Sequence, residues 1–274
     1  MIRVARILSL DVVLGACISS WFVATIAQTP VDIVAIVALA LCVWLIYTAD
    51  HLRDAYQLDH EAHTPRHRFH QQYFRIVLFA FIFISLVGVL LLFYLPPLVV
   101  QWGVELMGFV VVYFFVSQIA PIQKIIPKEV MIAFLYASGI FLPIAVQFPA
   151  IPAKLYILFG QYVILALINL IIFSWYEYDS DQLDFAHSLA TQHGKLKAKR
   201  LIILCTALVL VSVFVSGVLF STKLFLYAQC IIFLMTMLLI IIATYPKFFR
   251  SYERYRWFGD SVFILPILAF PFVS

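Results

Sequence analysis

The chain has 274 residues, of which 65% are hydrophobic and 12% charged, with a mean hydropathy of +1.05 and a formal net charge of +4. A soluble domain of this length cannot bury so much apolar surface, so the composition excludes a water-soluble globular protein and indicates an integral membrane protein. The positive charges gather at one set of span ends, which accounts for the basic balance without nucleic-acid binding.

Windows of about 20 apolar residues predict nine spans. They lie near 8–28, 31–49, 74–95, 97–118, 130–150, 155–176, 200–220, 223–245 and 258–273. The runs are continuous rather than alternating, and backbone groups in lipid must be satisfied internally, so helices are expected rather than a barrel. The expected fold is one all-α transmembrane domain over residues 1–274, a bundle of nine helices with two longer cytoplasmic loops.

The first span follows Arg3 and Arg6 and ends in small residues near Ala24 and Ala27, as a signal peptide does, but Asp11 interrupts it. It is read as an uncleaved helix. In the sixth span Gln161, Tyr162, Asn169 and Tyr176 predict a helix facing the interior, whereas 201–220 is apolar all round. Cys17, Cys42, Cys205 and Cys230 all fall inside spans, with no spacing suited to a metal or a disulfide.

With a cytoplasmic N-terminus, that side receives sixteen Lys and Arg residues, leaving only Lys154 and Lys223 opposite. This is a strong orientation signal for a multi-pass protein of the cell membrane. The two long connections, 50–73 and 177–199, lie on the cytoplasmic side and hold all seven histidines.

The second span runs into Asp50, Asp54 and Asp59, and the sixth into Glu177, Asp179, Asp181 and Asp184. If helicity continues beyond the apolar runs, Asp50 and Asp54 share one face at i and i+4, and Glu177, Asp181 and Asp184 share another at i, i+4 and i+7. Like charges so spaced repel, and Mg²⁺ is the natural counter-ion because it takes oxygen ligands and is completed by substrate phosphates. Arg53, Arg66, Arg68, Lys124, Lys128 and Lys195 are basic partners for phosphate oxygens on the same side. A diphosphate head with an apolar tail in the bundle fits this pattern.

The arrangement resembles the UbiA-type superfamily of intramembrane prenyltransferases, which have nine helices and two Asp-rich cytoplasmic motifs. Their second motif reads DxEGDxxxGxxTLxxxxG; here Glu177-Tyr-Asp-Ser-Asp181 is followed by Ser188-Leu189 and Gly194 at the matching spacings, with Phe185 in place of a glycine. Their first motif reads NDxxDxxxD; started at Asp50 it meets Ala49, Arg53 and Gln57 where Asn and two acids are expected. The stretch from His63 to Arg68 and the basic pair Lys124 and Lys128 after Pro121 are similar to further family segments.

The resemblance implies Mg²⁺-dependent transfer of an isoprenyl group from a prenyl diphosphate to an aromatic or lipophilic acceptor in the membrane. On that reading Asp50, Asp54, Glu177 and Asp181 are catalytic and hold the metal, with Asp59 and Asp179 as further ligands. Arg53, Arg66, Arg68, Lys124, Lys128, Asn169 and Lys195 would face the diphosphate. Tyr47, Tyr113, Tyr136, Tyr162 and Tyr176 are candidates for cation–π stabilisation of an allylic cation.

Two other readings stay open at this level. His60, His63, His67 and His70, spaced three, four and three, are compatible with a histidine-box metalloenzyme, an oxidase or hydroxylase. A small-molecule transporter would need ionisable or helix-breaking positions near the bilayer centre, where the spans offer Glu105, Asn169 and Pro143.

Overall fold

The structure, a computed structural model, describes residues 2–57, 65–116, 127–184 and 187–272. Among these residues there are helices and turns and no strand. A short α1 (Ile2–Ile7) leads into α2 (Leu10–Ala27), which stops at Gln28 in the left-handed region (φ 58°), its amide returning to Ala24 and Thr25 carbonyls. Then come α3 (Ile33–Gln57), α4 (Pro65–Gln72), α5 (Phe74–Leu91) and α6 (Pro97–Val116). After them follow α7 (Lys128–Ala145), α8 (Ala153–Leu183), α9 (Leu189–His193), α10 (Lys195–Leu219) and α11 (Lys223–Thr244). Prolines mark several starts, at Pro97, Pro127, Pro152 and Pro246, where the missing amide costs no intrahelical bond.

Eight of these helices are long and apolar enough to cross a membrane. The ninth expected span takes a different form. After α12 (Pro246–Arg250), the chain winds as α13 (Arg254–Ser261) and then as 3₁₀ turns over Val262–Phe272. Pro266 and Pro271 lie in that stretch and lack amide donors. Neighbouring side chains satisfy two of its carbonyls: Ser19 Oγ donates to Phe263 O at 3.1 Å and Tyr227 Oη to Leu268 O at 2.9 Å.

The bundle is built on α8, which packs against α7, α9, α10, α11 and α13. Gln161, Tyr162, Asn169 and Tyr176 on α8 are all buried, as their polarity inside an apolar run predicts. Gln161 Nε2 donates to Gln229 Oε1 at 2.8 Å and to Ser212 Oγ at 3.1 Å, tying α8 to α10 and α11 through a polar knot in the apolar interior. By contrast α5 and α6 form an outer layer whose aromatic side chains, such as Phe79, Phe83, Phe109 and Phe115, are exposed on an apolar face suited to lipid. The four cysteines are free thiols.

Bonds between distant helices define the two ends of the bundle. At one end Lys154 Nζ reaches Ile26 O at 3.0 Å and Gln147 Nε2 reaches Pro30 O at 3.3 Å. At the other, Arg66 Nη2 reaches Arg6 O at 3.1 Å and Tyr176 Oη donates to Ile242 O at 2.7 Å. Both acidic helix ends lie at this second end.

Candidate functional site

Helicity on α3 does continue beyond the apolar run, so Asp50 and Asp54 lie one turn apart. Arg53 closes on both: its Nη2 donates to Asp50 Oδ1 at 2.7 Å and to Asp54 Oδ1 at 3.0 Å, and its Nε to Asp54 Oδ1 at 3.3 Å. Phe114 of α6 lies under the guanidinium, 5.4 Å from ring centroid to Cζ. Asp59 and Lys124 lie outside the described residues.

One residue on from Asp50, the helical turn of about 100° sends His51 to another side. His51 Nε2 lies 3.4 Å from Arg66 Nη1, and its ring is 4.9 Å from that of His70. His70 Nδ1 donates to Arg66 O at 2.9 Å, and burial pushes its imidazole below the ordinary value. Burial, reinforced by Arg256, also lowers Arg66, against the opposing pull of Asp260, Asp11 and Glu177. Arg68, two residues along α4, is exposed. Of the histidines proposed as a box, His60 and His63 and the side chain of His67 lie outside the described residues, and His70 is spent on a backbone carbonyl.

The end of α8 is organised by residues distant in sequence. Glu177 is clamped: Arg256 donates through Nε to Oε1 at 2.5 Å and through Nη2 to Oε2 at 2.6 Å, and Tyr255 Oη donates to Oε1 at 2.8 Å. Tyr255 in turn stacks flat on Tyr176, with centroids 4.4 Å apart. Asp179, two residues on and so on the opposite side of the helix, pairs with Lys195 Nζ at 2.9 and 3.1 Å on the exposed surface. The structure does not bring that pair to the other candidates. Asp181 returns to the inner face, in the electrostatic field of Glu177, Lys128 and Arg256 and beside Ser188.

The loop after α8 is held in place by a capping box between Ser188 and Thr191, and Gly194 (φ 87°) supplies the turn into α10. Two buried side chains anchor it from outside. Glu129 Oε1 accepts from Leu189 N at 2.6 Å and Ser174 Oγ from Ala190 N at 2.8 Å.

The two acidic ends meet through α7, which packs against both α3 and α8. Lys128, at its first turn, feels the charges of Asp50, Asp54 and Asp181 together with its neighbour Glu129. It makes no direct ion pair with a described residue. Below this basin runs a column of polar and aromatic groups. Tyr47 lies within the field of Asp50, Asp11, Arg66 and Asp260, and Tyr136 within that of Tyr47, Asp260 and Tyr162. Tyr136 Oη is buried with no partner among the described residues. Asn169 Nδ2 donates to Asp260 Oδ1 at 3.3 Å, so it joins α8 to α13 rather than facing the basin alone. Gly259 permits this approach, because a Cβ there would fall 2.3 Å from Asn169 Oδ1. Tyr113 is buried and Tyr176 is engaged by Ile242 and Tyr255.

Do these carboxylates suit magnesium? Asp50 and Asp54 share an arginine, both oxygens of Glu177 are occupied, and Asp179 faces solvent. Among the described residues no group of three or more His, Cys, Asp or Glu side chains is placed to hold a metal ion. As paired here, Asp50, Asp54, Glu177 and Asp179 do not assemble a magnesium site among the described residues.

Sequence reasoning missed Arg256, Tyr255, Glu129 and Asp260 as parts of this end. Arg256 carried a signal, counted there only as a marker of orientation. The others become visible only when α7 and α13 are packed against α8.

No family model matches the sequence, and no curated protein matches it. The fold does have relatives. An apo structure of a UbiA homolog from Aeropyrum pernix K1 superposes with a TM-score of 0.68 at 11% identity, covering 95% of this chain and 97% of that one. A digeranylgeranylglyceryl phosphate synthase aligns with a TM-score of 0.56 at 17% identity over 98% of this chain and 94% of the other. From α2 to the composite ninth segment, this chain has the all-α membrane fold of a UbiA homolog.

Proposed function

We propose that the protein is a membrane prenyltransferase that moves an isoprenyl group from a prenyl diphosphate to a lipophilic or aromatic acceptor. The observation that supports it is the meeting of Asp50, Arg53 and Asp54 with Asp181 around Lys128, above an aromatic interior, in a fold shared with a UbiA homolog. The digeranylgeranylglyceryl phosphate synthase of the same fold gives an isoprenoid precedent. From the distribution of Lys and Arg, we place the basin on the cytoplasmic side.

In this scheme the diphosphate head rests against Arg53, Lys128 and Arg66, and the apolar tail enters the bundle. The bond between the first isoprenyl carbon and the diphosphate oxygen breaks, its electron pair leaving with the diphosphate. Cationic side chains stabilise the charge that develops on the leaving oxygen. Tyr47 and Tyr136 face the allylic cation from the column below. A nucleophilic atom of the acceptor then bonds that carbon and releases a proton. No step is assigned to a metal.

The test is incubation of the purified protein with prenyl diphosphates of several chain lengths and a membrane lipid extract, measuring pyrophosphate release and prenylated products by mass spectrometry. Release is expected, with at least a tenfold loss in Arg53→Asn and in Lys128→Met. Release at the wild-type rate in both variants would overturn this site.

A further inference from the structure

The residue between the two acids of α3 carries a consequence of its own. Arg53 bridges Asp50 and Asp54, with bonds of 2.7 and 3.0 Å from a single Nη2 and a third from Nε. A guanidinium so placed occupies the position between two carboxylates from which a cation relieves their repulsion. It cannot be deprotonated or dissociate from the chain. Lys128 adds a second fixed cation among the carboxylates of Asp50, Asp54 and Asp181. An anionic head then meets two cations that the chain itself supplies. At the other acidic end Arg256 pairs with both oxygens of one carboxylate, Glu177.

We propose that Arg53 is the resident cation of this acidic pair in place of a divalent metal, and that Arg53 and Lys128 hold the phosphate oxygens of the ligand directly. This rests on the reading of the basin as a diphosphate site. The guanidinium exchanges part of its carboxylate pairing for the phosphate oxygens, for which its planar fork is equally suited.

Two measurements on the full-length protein in detergent micelles test it. Electron paramagnetic resonance with Mn²⁺ alone is expected to show no bound ion in the wild type that depends on Asp50. Arg53→Asn, which unmasks the two acids, is expected to gain one Mn²⁺, lost again in Arg53→Asn with Asp50→Asn. Calorimetry with inorganic pyrophosphate in EDTA is expected to show binding by the wild type, weakened at least tenfold in Arg53→Asn. Circular dichroism checks that the variants are folded, and the wild-type measurements need no variant. A stoichiometric Mn²⁺ on wild-type protein that disappears in Asp50→Asn overturns the proposal, as does pyrophosphate binding that needs added Mg²⁺. In both cases the diphosphate reading survives. Absence of pyrophosphate binding with and without Mg²⁺ overturns both.

Discussion

Arg256→Met removes one partner of the clamp on Glu177 and leaves a carboxylate at the inner end of α8. The side chains of Arg256 and Glu177 are only 15% and 13% exposed, so the charge left behind cannot hydrate freely. Breaking a buried pair costs about 3–5 kcal/mol, most of it from the abandoned charge. Tyr255 still donates to Glu177 Oε1, and a hydrogen bond to a charged group retains about 1.5–3 kcal/mol. The expected loss therefore lies at the lower end, about 3 kcal/mol. Lys195→Met supplies the contrast, because the Lys195–Asp179 pair is exposed, and such pairs contribute about 0–1 kcal/mol. The assay is unfolding of the full-length protein in dodecyl maltoside by increasing SDS, followed by circular dichroism and extrapolated linearly. Adding Glu177→Gln to Arg256→Met removes the stranded charge while keeping an acceptor for Tyr255, and should recover about half of the loss. A loss below about 1 kcal/mol in Arg256→Met, or no recovery in the double variant, refutes the view that this clamp anchors α13 to α8.

Gly259→Ala should lower stability by about 1–3 kcal/mol, since its Cβ would fall 2.3 Å from Asn169 Oδ1 and 2.7 Å from Phe173. Gly217→Ala meets nothing nearer than 3.6 Å and should be neutral or stabilising by up to about 1 kcal/mol through helix propensity; the same SDS titration compares them. Glu129→Ala strands the Leu189 amide, and hydrogen exchange at Leu189 and Ala190 should quicken about tenfold, the equivalent of about 1.4 kcal/mol. His70 has an imidazole held below its ordinary value by burial. The unfolded chain therefore binds the proton first, and stability should fall as pH drops from about 6.5 toward the folded value, by at most about 1.4 kcal/mol per unit. His70→Gln should flatten that part of the stability profile relative to wild type, and an unchanged slope between pH 7.5 and 5 would contradict it.

The sequence reading located the spans well because apolar length and proline punctuation are local properties. It also anticipated that α3 and α8 outrun their apolar stretches, since Asp50 with Asp54 and Glu177 with Asp181 share faces only in a helix. Partner choice was not legible. Arg53 was read as facing a phosphate, and its pairing with the carboxylates three residues before it and one after it was not anticipated. Arg256, 79 positions from Glu177, leaves no periodic trace linking the two. Asp179 was grouped with its neighbours by sequence proximity, while the helical turn carries it to the outside and to Lys195. Over the ninth expected span the chain forms a short α-helix and then 3₁₀ turns, a distinction that hydropathy does not make.

That last segment has a consequence in length. Eight α-helical residues rise about 12 Å, and eleven in 3₁₀ form rise about 22 Å at about 2.0 Å each. Wound as α-helix, the same eleven residues Val262–Phe272 would rise only about 16 Å. Tighter winding gives this apolar stretch about a third more reach. It makes poorer internal hydrogen bonds, and the hydroxyls of Ser19 and Tyr227 hold the stretched segment against α2 and α11.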